Sequence, residues 1–153
     1  MRLVHVADGT ERTLATTVDL ADSFVSQTVG LMGQSSLPDD YALVFEFGDP
    51  GYLYRLRDTV PRRAIHMLFV RTGLDVLWLR DDEVVKVATL SPWTGFGVAK
   101  ADTVVELPAG NAEGVAVGDT VHLEREDESG TEPVDESGTE AEADEAVDAE
   151  TSE

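Results

Sequence analysis

The chain has 153 residues and a formal net charge of −20, from 31 acidic residues against 11 lysines and arginines. That length bounds the fold to one domain with room for an appendage, and no basic stripe is present to hold nucleic acid or an anionic membrane. The absence of cysteine excludes disulfides, thiolate zinc sites and cysteine nucleophiles.

In chain order, Arg2–Val6 and Glu11–Thr16 read as strands flanking Asp8-Gly9, a hairpin pair because both turn positions tolerate positive φ. A helix is predicted next, with Asp19 as N-cap. Ala21, Phe24, Val25, Thr28 and Met32 recur at helical spacing, and Gly33 stands where a left-handed C-terminal residue is expected. After the loop 35–40, the strand Ala42–Phe47 alternates, with Leu43, Phe45 and Phe47 on one face. Gly48-Asp49-Pro50-Gly51 turns the chain into a further alternating strand, Tyr52–Arg57.

The most apolar stretch follows. Arg63–Val70 and Leu74–Leu79, split by Arg71-Thr72-Gly73, read as two strands buried on both faces and joined by a tight turn. They place one imidazole, His66, and one carboxylate, Asp75, where an unpaired polar group costs roughly 2–7 kcal/mol. A turn at Arg80-Asp81-Asp82 leads to the strand Glu83–Leu90. The loop Ser91–Gly97 carries Pro92-Trp93 and two glycines, then Thr103–Leu107 forms a strand that Pro108-Ala109-Gly110 ends. Asp119–Glu124 closes the domain. About eight or nine short strands with one short helix predict a mainly β fold, a sandwich or partly open barrel.

Beyond that point the composition changes. Glu124–Glu153 holds 14 acids and one base, leaving 17 acids and 10 bases in residues 1–123. The octad Asp127–Val134 is echoed by Asp135–Glu142, and so polar a segment cannot bury enough surface to offset chain entropy. The expected organisation is a β domain over 1–124 and a disordered acidic tail over 125–153. The excess charge has two readings, solubility and adaptation to a salt-rich cytosol, where counterions screen self-repulsion. Only two lysines, Lys86 and Lys100, with abundant Asp on the domain itself favour the halophilic reading. The start Leu3–Ala7 is too short for a secretory signal, and no apolar run approaches the ~20 residues that span a bilayer. A soluble, cytoplasmic protein is expected.

Several landmarks occur in a specific order: Gly30-Leu31-Met32, Leu37-Pro38, Leu43-Val44-Phe45, Ile65-His66-Met67-Leu68-Phe69-Val70, Leu74-Asp75-Val76, Pro92-Trp93, Val105-Glu106-Leu107-Pro108-Ala109-Gly110 and Val117-Gly118-Asp119. Together they resemble the UPF0127 or DUF192 family, small β domains of unknown function, over about residues 17–124. The His-Met form of the central motif is similar to the archaeal branch. The resemblance implies a compact, jelly-roll-like β structure with a small helix and no established activity. The chain departs from the family pattern at Gln27 and Gln34, where relatives carry basic residues, and at Gly73-Leu74, where they carry proline and isoleucine. At those two positions the chain has no cation to bind an anion or pair with a carboxylate.

The candidate ligand pocket gathers His66, Asp75, Trp93, Glu106 and Arg63. His66 and Asp75 invite a base-and-orienter pairing, but in the predicted hairpin they lie about 13 Å apart along the strand, and a one-residue slip puts them on opposite faces. The structural reading makes His66 a core histidine and has Asp75 pinned by Arg62 or Arg63. Glu106 reads as a solvated or arginine-paired edge residue, or as an acid catalyst. Ser91–Gly97 offers aromatics to a ligand, or folds inward as a plug. The only histidines, His5, His66 and His122, have no metal-ligand spacing, and no Gly-x-Ser-x-Gly elbow, P-loop or dinucleotide fingerprint occurs. The function expected is a non-enzymatic module binding a small molecule or a protein, without cofactor. The alternatives are a hydrolase-like or isomerase-like enzyme with His66 as general base and a carboxylate partner, and a purely structural domain.

Overall fold

The structure, a computed structural model, describes residues 1–21, 37–47 and 60–125. Ten strands run through them: β1 (Arg2–Ala7), β2 (Thr10–Ala15), β3 (Thr17–Ala21), β4 (Tyr41–Glu46), β5 (Arg62–His66), β6 (Leu74–Arg80), β7 (Glu83–Leu90), β8 (Phe96–Lys100), β9 (Thr103–Pro108) and β10 (Thr120–Glu124). No helix occurs among the described residues. Eight strands form one sheet in the order β2-β1-β10-β7-β6-β9-β4-β3, while β5 and β8 form a separate two-stranded ribbon. β1 packs on β3 and β2 on β4, so the sheet rolls onto itself yet stays open, since its edge strands do not pair. The mainly β, partly open fold expected from the sequence is the fold observed.

The predicted hairpin turns form where the chemistry allows them. Asp8 and Gly9 take φ of 51° and 74°, and Asp81 and Asp82 take 51° and 66°. Two consecutive positive φ values match the twist of a two-residue hairpin loop. β6 is the centre of the sheet, paired with β7 on one side and β9 on the other. Its near-continuous apolar sequence follows from burial on both faces. Leu77 and Leu79 enter the core inside the roll with Leu3, Val44, Val105, Leu107 and Val121. Leu74, Val76 and Trp78 enter a second core on the opposite face, with Leu43, Phe45, Ile65, Met67 and Val104.

That second core is closed by the ribbon. The Trp78 indole N–H donates to the Arg63 carbonyl at 2.9 Å, and Gly97 rests on the ring. A Cβ at Gly97 would stand 2.4 Å from the ring's Cη2, so only glycine lets β8 approach this closely.

Three expectations are corrected. Arg63–Val70 is not one strand and makes no hairpin with Leu74–Leu79. β5 ends at His66 and pairs with β8, because both edges of β6 are already taken and because the chain turns at once, the Val70 N–H donating to the Met67 carbonyl at 3.0 Å. His66 is consequently not a core residue: β5 alternates, turning Ile65 inward and Ala64 and His66 outward, where both are exposed. The helix expected to start at Asp19 does not start there. Thr17–Ala21 is β3, parallel to β4, fastened by Thr16 and Thr17 hydroxyls donating to the Asp40 carboxylate at 2.8 and 3.0 Å and by the Tyr41 hydroxyl donating to Asp19 at 2.9 Å. The rest of that predicted helix, the strand Tyr52–Arg57 and the acidic tail beyond Arg125 lie outside the described residues.

Candidate functional site

The outward face of the ribbon carries the most exposed aromatic surface among the described residues. Pleating puts Arg62, Ala64 and His66 of β5 on that face, opposite Lys100, Val98 and Phe96 of β8. Beyond the His66–Phe96 end, two loops extend the surface with Leu68, Phe69 and Trp93. Phe69, Trp93 and Phe96 are 53%, 49% and 64% exposed, and Leu68 is 51% exposed. Phe69 and Trp93 meet edge to face with ring centroids 6.1 Å apart, a geometry the aromatic quadrupoles favour.

Both rings are held on strained backbone. Phe69 is the third residue of the turn Met67–Val70, with φ of 68°. That position of a type II turn favours glycine or asparagine. Trp93 has φ of 67° between Pro92 and Thr94, and the Thr94 N–H donates to the Pro92 carbonyl at 2.8 Å. A three-residue turn with a positive central φ is the rarer, strained form, and a bulky side chain there is an outlier. The surroundings enforce it. The Trp93 N–H donates to the Val70 carbonyl at 3.1 Å, and the Met67 N–H to the Gly95 carbonyl at 2.9 Å, so each loop holds the other. Gly95 fits because a Cβ there would lie 2.8 Å from both Leu90 and Met67 side-chain carbons.

The five residues singled out from the sequence are placed on three different surfaces. His66 and Trp93 share the ribbon's outward surface. Arg63 faces the other way, its guanidinium 3.8 Å from the centroid of the Phe47 ring. Burial pulls its pKa below the ordinary arginine value, partly offset by Asp102. Asp75 is 3% exposed and shares the inner face of the roll with Leu77 and Leu79. Its carboxylate accepts from the Thr89 hydroxyl at 2.6 Å and from the backbone N–H groups of Gly110 and Ala112 at 2.7 and 3.0 Å. Its clasp is thus made of amides and a hydroxyl. Glu106 lies on the opposite face of the sheet, between Leu43 and Val76. Burial pushes its carboxyl up to about 7. The nearby Tyr41 hydroxyl is pushed up to about 12 by burial and by its bond to Asp19.

Among the described residues the other two histidines stay apart. His5 and His122 lie on paired strands, but His5 stands opposite Val121 and His122 opposite Val4, so they point to opposite faces. His5 Nε2 lies 2.7 Å from the Asp119 carboxylate. The Ala116 N–H, and then this bond, hold Asp119 below the usual carboxylate range. Among the described residues no three potential ligands form a metal group. A cavity of about 430 Å³ opens at the end of the roll, with Leu3, Val44, Leu79 and Val105 beneath and Glu46, Asp82, His122 and Arg125 at the rim. No helix among the described residues is long and apolar enough to cross a membrane.

The DUF192 family model, described as an uncharacterised ACR, matches residues 4–123, from within β1 to within β10. The chain belongs to the DUF192 family. Two solved structures share its fold. One is a protein of unknown function from Novosphingobium aromaticivorans, 20% identical, with a TM-score of 0.63 over 80% of this chain and 84% of that one. The other is a candidate transcription regulator from Sinorhizobium meliloti, 23% identical, with a TM-score of 0.64 over 79% of this chain and 91% of that one. No curated protein matches the chain. For this DUF192 protein, then, the family supplies a fold and no activity. The loop Ser91–Gly97 was visible in the sequence, as an outward contact or as an inward plug, and Trp93 lies half exposed. Phe69 was not, because nothing in an apolar run marks a turn built without glycine or proline.

Proposed function

We propose that this DUF192 protein is a non-enzymatic binding module whose docking surface is the outward face of the β5–β8 ribbon. The observation that carries this reading is the pair Phe69 and Trp93, each in left-handed backbone yet half exposed. Strain of this kind costs about 1–3 kcal/mol per residue and persists where the surroundings enforce it, often at functional sites. Here little core packing repays it, so recognition is the reason supplied for it. The surface is a face rather than a pocket, which suits a polypeptide better than a metabolite. His66 belongs to this face as a rim residue, whereas the carboxylates an enzyme would need beside it, Asp75 and Glu106, belong to the two faces of the main sheet.

A photo-crosslinking benzoylphenylalanine in place of Phe96, compared with the same group at exposed Val117, tests the reading in cells that make the protein. A discrete adduct at position 96, absent at 117 and abolished by Trp93→Ala, is expected. Equal labelling at the two positions, or none at 96, defeats it. The cavity at the end of the roll supports a second, small-molecule reading, since its size falls in the range of about 300–1,000 Å³ usual for ligand sites. A melting shift with metabolites that Leu79→Phe removes and Phe96→Glu leaves intact would favour that reading over the first.

A further inference from the structure

The charge of the ribbon region is opposite to that of the rest of the chain. Residues 60–73 and 91–101 contain Arg62, Arg63, Arg71 and Lys100, four of the chain's 11 lysines and arginines, and none of its 31 acids. Of these, Arg62, Arg71 and Lys100 are exposed, while Arg63 turns inward over Phe47. Arg62 and Lys100 are cross-strand partners at one end of the outward face, and His66 and Phe96 are partners at the other. Four residues of extended strand separate the two ends, about 13 Å. The face therefore has a cationic end and an aromatic end, with Ala64 and Val98 between them.

We propose, resting on the docking reading above, that the partner is a short acidic polypeptide segment with one large apolar side chain. The segment lies along the ribbon. Its apolar anchor packs on Phe96, Trp93 and Phe69, and a carboxylate about four residues away in extended conformation reaches Arg62. Net charge does not forbid this. Beyond a Debye length of about 10 Å the chain's acids are screened, so a short segment responds mainly to the charges beneath it. A nucleic acid strand is a poorer occupant, because its phosphates run past the patch onto acidic surroundings. A second copy docked face to face is poorer too, because that face carries no carboxylate to offer Arg62 and Lys100.

A random dodecapeptide display library, selected on the immobilised full chain and counter-selected on its Phe96→Glu variant, tests the proposal. Enriched peptides are expected to be net acidic with one aromatic or long aliphatic residue, and synthetic copies should bind Arg62→Glu at least about tenfold more weakly, the scale of a lost charge-assisted contact. Peptides that need Phe96 but are neutral or basic, or that ignore Arg62→Glu, would overturn the acidic partner while leaving the docking face standing. Peptides that bind Phe96→Glu and Trp93→Ala as well as the native chain, or no enrichment at all, would overturn both. Native circular dichroism and melting of each variant separate loss of binding from loss of fold.

Discussion

Asp75→Ala removes the acceptor that ties the loop after β9 to the middle of the sheet. Three donors converge on this carboxylate at 2.6, 2.7 and 3.0 Å. The Thr89 hydroxyl can rotate to another acceptor, but the Gly110 and Ala112 amides are fixed by the turn. A buried amide left without a partner costs about 1–3 kcal/mol, so two of them, with a small cavity beneath, imply a loss of about 3–5 kcal/mol. That is a large share of the roughly 5–15 kcal/mol available to a domain. Asp75→Asn should lose about 1 kcal/mol, since the amide oxygen can still accept both N–H groups while its nitrogen donates to Thr89. Denaturant unfolding reads these values as a falling midpoint at constant slope. His66→Ala belongs in the same series. Being on an exposed face, it should change stability by less than about 1 kcal/mol. A loss below about 1 kcal/mol for Asp75→Ala, or one as large for His66→Ala, would refute the reasoning.

Gly97→Ala should lose about 1–3 kcal/mol by overpacking, because the added methyl meets the fully buried Trp78 ring rather than a flexible chain end; thermal unfolding with Trp fluorescence checks it. Glu106 supplies a pH dependence. Its folded pKa of about 7 lies above the ordinary 4.5, so the stability it contributes is full below about 4.5 and is lost as pH rises through about 7. Glu106→Gln should flatten that decline and raise stability at about pH 8 by up to ~3 kcal/mol; a native-like decline in the variant would exonerate Glu106.

Much of the sheet was legible because period and turn chemistry are local. Asp8-Gly9 and Asp81-Asp82 sit where turns were expected, and β4, β6, β7, β9 and β10 follow their apolar runs. What was not legible is pairing. Arg63–Val70 and Leu74–Leu79 look like hairpin partners because they are adjacent and apolar, but β6 takes β7 and β9 instead, and β5 is set aside to cover Trp78. β3 was hidden because Asp19 is as good a helix cap as it is an acceptor for Tyr41 across a parallel pair. β8 was hidden inside a glycine-bearing loop, since Gly97 marks close approach to a ring that lies far off in sequence. The site divides the same way. Trp93 could be flagged by its loop, but His66 could be assigned outward only once β5 was seen to end there.

The central claim is that Phe69 and Trp93 are held against local backbone preference in order to be displayed. Unfolding of Phe69→Asn/Trp93→Asn tests it most directly, because asparagine tolerates left-handed backbone. Stability equal to the native chain, or higher by about 1–2 kcal/mol, is predicted from relieved strain. A loss above about 2 kcal/mol would show that these rings hold the fold together instead, and would contradict the account.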